Sequence, residues 1–403
     1  MYPLYSVPHL EKLLLARKES LFKPDIDNYS QLLKETVKNS SFLVIGGGGS
    51  IGSAVVKEIF KRNPKKLHVV DINENALAEL VRDIRSSFGY IQGEFKTFVI
   101  DFGSDVFQSF FLSEGPYDFI LNLAALKHVR SEKDPYTLMR MVEVNILNTY
   151  QLLKLTQNKG VKKVFAVSTD KATNPVNMMG ASKRIMELFL LKESEKVTIS
   201  TARFANVAFS NGSLLYSFKQ RMEKLQPIVA PKGVKRYFIT HQESGELCLM
   251  STLLGENKEI FFPKEGNYLK PMPLTELALR FVQLMGFEPY ICETEEEARR
   301  LAPTLPKIGK WAVYFSEVDT TGEKDVEIFY TDKDTVDFNK FKTIAVMELK
   351  GSIDETLLKN FIKQVNLFRK KGQWTKTDLV KLFKQVLPEF EHRELGKYLD
   401  DKM

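Results

Sequence analysis

Seven residues, Gly46-Gly-Gly-Gly49-Ser50-Ile51-Gly52, constrain the fold more than any other stretch of the chain. They follow a short apolar run, Phe42–Ile45, and open a segment, Ser50 to Arg62, whose apolar spacing predicts a helix. Between a buried strand and a helix, glycines spaced G-x-x-G-x-x-G have separate tasks. The first permits a tight turn, the second lets backbone amides approach a pyrophosphate, and the third lets helix and strand pack closely. The helix N-terminus adds partial positive charge for the phosphates. A glycine trio alone is weak; the strand before it and the helix after it supply the required context.

The pattern beyond the loop repeats this alternation. Strands are predicted at Lys66–Val70, Phe95–Ile100, Tyr117–Asn122, Lys163–Ser168 and Val197–Ala202. Helices are predicted at Asn75–Ser87, over a long stretch from Asp134 to Lys159, and at Ala181–Leu191. Strands alternating with helices imply βαβ units, so the expected class is α/β: a Rossmann-like, doubly wound parallel sheet with a smaller C-terminal substrate-binding lobe. The expected division is a helical arm over 1–40, a dinucleotide-binding domain over 41–205, a lobe over 206–350 and a helical tail over 351–403. Later segments have room to return to the sheet. Within the lobe, Trp311–Phe315 and Val326–Tyr330 look strand-like. In the tail, Leu357, Phe361, Val365 and Phe368 carry the apolar spacing.

Bulk properties exclude several classes. The chain has 403 residues, 43% of them hydrophobic, enough for a large core. Its two cysteines, Cys248 and Cys292, make no disulfide framework or CxxC pair, which fits a reducing cytoplasm. The five histidines show no metal-ligand spacing, so no metal site is expected. No signal peptide or run long enough to span a bilayer is present, and a soluble cytoplasmic protein is expected. The net charge of +7 is spread among interspersed acids and reads as a solvated surface rather than a nucleic-acid footprint.

Asp71 ends the second strand about 20 residues past the glycine loop. A carboxylate there accepts from a ribose 2′-hydroxyl and repels a 2′-phosphate, which favours NAD over NADP; the alternative is a solvated strand-end aspartate. Asp101 ends the third strand and is a candidate for the adenine amino group. Past the fifth strand stands Ser168-Thr169-Asp170-Lys171, followed by Met179-Gly180-Ala181-Ser182-Lys183. This places a carboxyl and two amines just past the end of a buried strand. Met179 and Lys183, four residues apart, share one side of a helix.

These motifs, with Asn122–Val129, Asn145, Arg203–Val207, Ser210–Ser213, Arg236–Thr240 and Gly322–Lys324, resemble the extended short-chain dehydrogenase/reductase superfamily. Within it they are similar to the UDP-N-acetylglucosamine 4,6-dehydratases of bacterial polysaccharide synthesis. The likeness runs from about residue 41 to 330. Gly48 stands where threonine is common and Ala205 where glycine is usual; residues 288–318 have no clear counterpart.

The resemblance implies a bound NAD, with NADP as the alternative, contacted by Gly46, Gly49, Ser50, Ile51, Gly52, Asp71, Asp101, Ala124 and Lys183. It implies a nucleotide-sugar substrate contacted by Lys127, His128, Asn206, Arg236, Glu323 and Lys324, and a homo-oligomer. His128 is equally readable as a packed histidine. The implied reaction oxidises C4, eliminates water across C5–C6 and reduces C6. Lys171 serves as base and Asp170 as acid, which requires an uncharged amine and a protonated carboxyl near neutral pH. Most of the superfamily has tyrosine where Met179 stands. A thioether exchanges no proton, so the C4 hydroxyl proton goes to Thr169, to water, to Asp170 or to Lys171. Methionine there resembles the branch that retains configuration at C5. The alternative functions are a nucleotide-sugar 4-epimerase and a non-catalytic NAD-binding regulator.

Overall fold

Apolar runs bounded by turns build the central sheet. β1 (Ser41–Ile45), β2 (Lys66–Asp71), β3 (Glu94–Val99), β4 (Phe119–Asn122), β5 (Lys163–Thr169) and β6 (Ile199–Phe204) are mutually parallel, and all but β3 are almost wholly buried. The computed structural model describes residues 5–319, 324, 326–351, 354–392, 394–397 and 400. The helices α1 (Val7–Leu14), α2 (Lys23–Asn28) and α3 (Ser30–Lys38) precede the sheet, and α4 (Ser50–Phe60), α5 (Glu74–Phe88) and α6 (Asp105–Glu114) follow β1, β2 and β3. The predicted helix from Asp134 is in fact three pieces: α7 (Pro135–Val142), a π-helical turn at Glu143–Leu147 and α8 (Asn148–Thr156). α9 (Met178–Glu193) begins three residues earlier than its apolar spacing indicates, because Asn177 caps it by accepting from Gly180 N.

The later half does not form a separate lobe throughout. β7 (Asn206–Val207), α10 (Leu214–Glu223), β8 (Ile228–Pro231), β9 (Lys235–Arg236) and β10 (Phe238–Ile239) leave the sheet. α11 (His241–Leu254) packs on α4, and β11 (Glu259–Pro263) re-enters the sheet beside β6. β12 (Met272–Pro273) and α12 (Leu274–Leu284) return to the lobe. Residues 288–318 then form a βαβ unit, β13 (Glu288–Cys292), α13 (Glu295–Leu301) and β14 (Lys310–Ser316), whose last strand pairs with β8. β16 (Ile344–Glu348) pairs antiparallel to β11 and β15 (Val336–Asp337) pairs antiparallel to β16, giving the nine-strand order β15-β16-β11-β6-β5-β4-β1-β2-β3. Val326–Tyr330, expected as a strand, has no regular secondary structure.

Among the described residues, four hydrophobic clusters hold these layers, the smallest within the β13–α13–β14 unit. The largest spans the sheet and the helices against it, and a second unites α10, α12, β8 and β14 with α1 through residues such as Leu14, Phe218, Phe281 and Trp311. The tail, α14 (Glu355–Lys371) and α15 (Lys376–Val386), packs on α7 and α9 through Leu358, Phe361, Val365 and Phe383. Leu358 is the buried member of that stripe, whereas Leu357 is exposed. The sheet changes direction at β1, flanked by β2 on one side and β4 on the other. Ligands of open α/β sheets bind at the carboxyl ends of the strands at such a switch point.

Candidate active site

The turn after β5 is assembled by short-range bonds. Asp170–Ala172 form a single 3-10 turn. The Thr169 hydroxyl donates to Asp170 Oδ1 at 2.9 Å and accepts from Lys171 N at 3.4 Å. Lys171 Nζ lies 3.1 Å from the same carboxylate oxygen. Asp170 is only 1% exposed, and its Oδ2 makes no hydrogen bond among the described residues. A buried carboxylate oxygen without a partner calls for an explanation, and here it stands on the wall of a cleft.

Glycine at 180 permits the next element to dock. A Cβ there would stand 2.2 Å from the Lys171 carbonyl oxygen, so only glycine lets α9 begin against the turn. Met179 and Lys183 then both line the cleft. Lys183 Nζ donates to Val167 O at 2.9 Å and lies 3.7 Å from Met186 Sδ. Burial lowers the Lys183 ammonium to about 8, against the opposing pull of Glu187. Asn145, in the π-helical turn, donates to Ser182 Oγ and to Leu126 O, each at 2.9 Å, and accepts from Leu126 N at 2.9 Å. It thereby ties α9 to the loop that follows β4. Such single π turns recur at functional sites.

The glycine loop forms the cleft's other wall. Gly46 has φ +79°, and a Cβ on it would stand 2.6 Å from Ala124 N. A Cβ on Gly52 would stand 2.0 Å from Gly46 O. Gly49 caps α4, with Ser50 and Ile51 in its first turn. Asp71 Oδ2 accepts from Gly48 N at 2.9 Å and Oδ1 from Asn73 N at 2.9 Å, which fixes the carboxylate beside the loop. This set fits NAD: an amide-lined helix mouth for the pyrophosphate, a carboxylate at the end of β2 for a ribose, and a desolvated lysine at the reactive end.

The cleft between these walls has a volume of about 290 Å³ and is lined by Gly46, Gly49, Ser50, Ile51, Gly52, Lys127, His128, Thr169, Asp170, Lys171, Met179, Lys183 and Asn206, among others. Lys127, His128, Gly212 and Ser213 also border a second cavity of about 810 Å³, which extends to Arg130 and Arg221. The structure thus brings together the glycine loop, the Asp170–Lys171 turn, Met179, Lys183, Lys127, His128 and Asn206. Burial lowers both Lys127 and His128, the latter with help from Lys127 and Arg130. The His128 ring packs against Gly212, where a Cβ would come within 2.7 Å of it.

Other expected residues stand elsewhere. Arg236 lies on the β9–β12 ladder opposite Met272 and lines neither cavity. Lys324 is a strap: its Nζ donates to Thr173 O at 3.2 Å and Asn174 O at 2.7 Å, holding the end of the Asp170 turn. Glu323 lies outside the described residues. Asp101 pairs with Arg140 at 3.0 Å and accepts from Gly103 N, and it lines neither cavity. Ala124 acts through its backbone, against Gly46.

Beneath the turn is a buried ion pair that the sequence pattern did not single out. Glu187 on α9 joins Arg203 on β6 at 2.8 Å, Arg184 at 2.9 Å and Ser168 Oγ at 2.7 Å. Its one visible sign is a lone acid in the apolar run Ile185–Leu190. Burial opposes the charge of Glu187, but Arg203, Arg184 and the Ser168 hydroxyl outweigh it and hold the carboxyl at about 2. Away from the cleft, His68, Glu94 and Glu114 bring ligand-type atoms within 4.8 Å of one another. They come from separate elements, so no sequence spacing reveals them. Both His68 nitrogens are already engaged, Nδ1 by the Tyr117 hydroxyl at 2.9 Å and Nε2 by Glu94 at 2.5 Å.

Comparison with known proteins agrees with this fold. The model of the polysaccharide biosynthesis protein family matches residues 42–348. The chain belongs to that family. It is an extended short-chain dehydrogenase/reductase of the nucleotide-sugar dehydratase/epimerase type. Among relatives, an uncharacterized membrane protein of Methanocaldococcus jannaschii is 31% identical over 77% of this chain and 96% of its own length. The capsular polysaccharide biosynthesis protein CapD of Staphylococcus aureus is 29% identical over 70% of this chain, which spans 49% of that relative. An inverting UDP-N-acetylglucosamine 4,6-dehydratase of Campylobacter jejuni is 28% identical over 59% of this chain and 70% of its own. The solved structure of Pen from Bacillus thuringiensis shares the fold, with TM-score 0.62, 21% identity and coverage of 82% of this chain and 98% of that one. Among the described residues, no helix is long and apolar enough to cross a membrane.

Proposed function

We propose that the protein is an NAD-dependent nucleotide-sugar 4,6-dehydratase that takes UDP-N-acetylglucosamine to a 4-keto-6-deoxy sugar for glycan synthesis. The observation that carries this reading is the contact of Asp170 and Lys171 on the wall of the cleft, 3.1 Å apart and beside Met179 and Lys183. A simple C4 oxidation or epimerisation has no task for an acid paired with a second amine, whereas elimination of water needs both an acid and a base.

The glycine loop, Asp71 and Lys183 hold the dinucleotide. A dinucleotide held by these residues would supply the hydride acceptor for sugar C4 and the hydride donor for C6. Met179 supplies shape and no proton chemistry. The Thr169 hydroxyl is the acceptor for the C4 hydroxyl proton and passes its own to Asp170, to which it already donates. The C4 ketone acidifies C5–H, and Lys171 takes that proton. The electron pair forms the C5–C6 double bond as the C6 hydroxyl leaves, and the Asp170 proton departs with it as water. The proton collected at C4 is the one delivered to the leaving group, so Asp170 ends the elimination as a carboxylate, and the Lys171 ammonium gives its proton back to C5 when C6 is reduced, which restores the amine. The larger cavity, with Lys127, Arg130 and Arg221 on its walls, suits the nucleotide and its diphosphate.

Mass spectrometry after incubation with a panel of nucleotide sugars tests the reading. A product from UDP-N-acetylglucosamine lighter by one water supports it. An unchanged mass with a new C4 epimer would point to an epimerase, and no turnover of any member to a regulatory binder. NMR coupling constants of the product distinguish retention at C5 from the inversion in the Campylobacter relative's name.

A further inference from the structure

Buried charge not used above concentrates at Glu327. This residue lies between β14 and β15 and is 2% exposed. Its Oε1 lies 3.8 Å from Lys171 Nζ and its Oε2 lies 3.5 Å from Lys324 Nζ. Oε2 makes no hydrogen bond among the described residues. Burying a carboxylate costs free energy that charge partners must offset. Lys324 is one such partner, and it also holds the carbonyls of Thr173 and Asn174. The other partner is the amine proposed as the base. The four groups alternate in sign along the line Lys324, Glu327, Lys171, Asp170.

The chemistry gives this arrangement a purpose. An acid that carries the proton destined for the leaving hydroxyl has no charge to offer its neighbour. While Asp170 is protonated, Lys171 takes the C5 proton and becomes an ammonium, and Glu327 is then its only carboxylate neighbour within 4.0 Å among the described residues. We propose that Glu327 is the positioning residue of the elimination, the permanent counter-charge that holds Lys171 Nζ toward the cleft and steadies the ammonium formed there. Glu327 keeps its charge throughout; the only protons that move are those of the C4 hydroxyl, Thr169, Asp170, C5 and Lys171. Other charged groups around the turn are already engaged. Glu187 on α9 is paired with Arg203 on β6 and with Arg184, while Lys183 donates to Val167 O.

The proposal rests on Lys171 being the base, and the experiment separates the two ideas. The pH profile of kcat with UDP-N-acetylglucosamine is measured for Glu327→Gln, Glu327→Asp, Lys324→Met and Lys171→Ala. Glu327→Gln is expected to lower kcat about tenfold or more at neutral pH with KM within about twofold, and to move the rising limb to lower pH, since an ammonium without its counter-charge releases its proton sooner. Lys324→Met removes the opposite charge and is expected to move the limb to higher pH. Glu327→Asp keeps the charge and is expected to recover part of kcat with the limb near its wild-type position. Loosening of the fold alone gives no opposite shifts. If Lys171→Ala is inactive while both the Gln and Met variants keep the wild-type limb and kcat, the role of Glu327 is wrong. Wild-type turnover in Lys171→Ala overturns the reading beneath it.

Discussion

Arg203 Nη2 on β6 and Glu187 Oε2 on α9 meet 2.8 Å apart in the interior, directly behind the turn that carries Asp170 and Lys171. The same carboxylate accepts from Ser168 Oγ at 2.7 Å, and Arg203 Nη1 donates to Thr173 Oγ at 2.8 Å. One buried ion pair therefore fixes β5, β6, α9 and the far end of the turn relative to one another.

Removing half of that pair leaves a charge without compensation. Glu187→Gln is expected to destabilise the fold by about 3–5 kcal/mol, measured by urea unfolding at pH 7. The carboxyl titrates at about 2 in the fold, below its ordinary value of 4.5. Its contribution is therefore complete above that ordinary value and is lost as pH falls through the window toward 2. The gap between wild type and Glu187→Gln should narrow on acidification; a gap that widens refutes the charge account.

Lys183 shows the opposite balance. Burial lowers its ammonium from 10.5 to about 8, so the fold without ligand disfavours the charged form. The sign follows: the penalty is full below pH 8 and relaxes as pH rises toward 10.5, where the unfolded chain also loses its proton. Lys183→Met is expected to be more stable than wild type by about 1–3 kcal/mol at pH 7, with the advantage vanishing near pH 10.5. The same variant should bind NAD at least about tenfold more weakly, measured by calorimetry. Tighter NAD binding by this variant would remove Lys183 from the cofactor site.

Gly180→Ala tests the docking of α9. The added Cβ meets the Lys171 carbonyl oxygen at 2.2 Å, so the turn or the helix has to move. Displacements near 1 Å at a reacting centre cost about 10²-fold in rate. The variant is expected to fold and bind NAD but lose about that factor in kcat. Wild-type turnover would show that the turn tolerates the shift.

Asp71→Ala probes cofactor choice. Losing the acceptor for Gly48 N and for a ribose hydroxyl is expected to weaken NAD binding by about 1.5–3 kcal/mol and to raise affinity for NADP relative to NAD. Calorimetric titration of both cofactors reads the ratio; an unchanged ratio contradicts the assignment.

The fold was legible because its signals are local. Phe42–Ile45 and Lys163–Ser168 are short apolar runs at turn boundaries, and the Gly46–Gly52 spacing has only one economical context. The return of β11, β15 and β16 to the sheet was not legible, since strand pairing across the lobe depends on contacts far apart in sequence. Val326–Tyr330 alternates like a strand, yet Glu327 is buried by its partners rather than by a ladder. Asp170, Lys171, Met179 and Lys183, singled out at the end of the fifth strand and in the helix after it, line one cleft. Arg236 and Lys324 were expected at the substrate from the likeness of motif alone; Arg236 stands on the β9–β12 ladder and the Lys324 amine bonds the Thr173 carbonyl, pairings between segments far apart in sequence. Gly180 escaped notice because its importance is a contact with one carbonyl oxygen.

The account stands on Lys171 taking a proton from C5 of the sugar while Asp170 gives one to the leaving hydroxyl. The most direct test incubates wild type and Lys171→Ala with UDP-N-acetylglucosamine in deuterium oxide and reads the products by mass spectrometry and NMR. The account predicts loss of one water with deuterium at C5 for wild type. For Lys171→Ala it predicts intact substrate without deuterium, with NAD binding retained. Loss of water by Lys171→Ala at the wild-type rate, or a wild-type product that keeps its full mass, would contradict it.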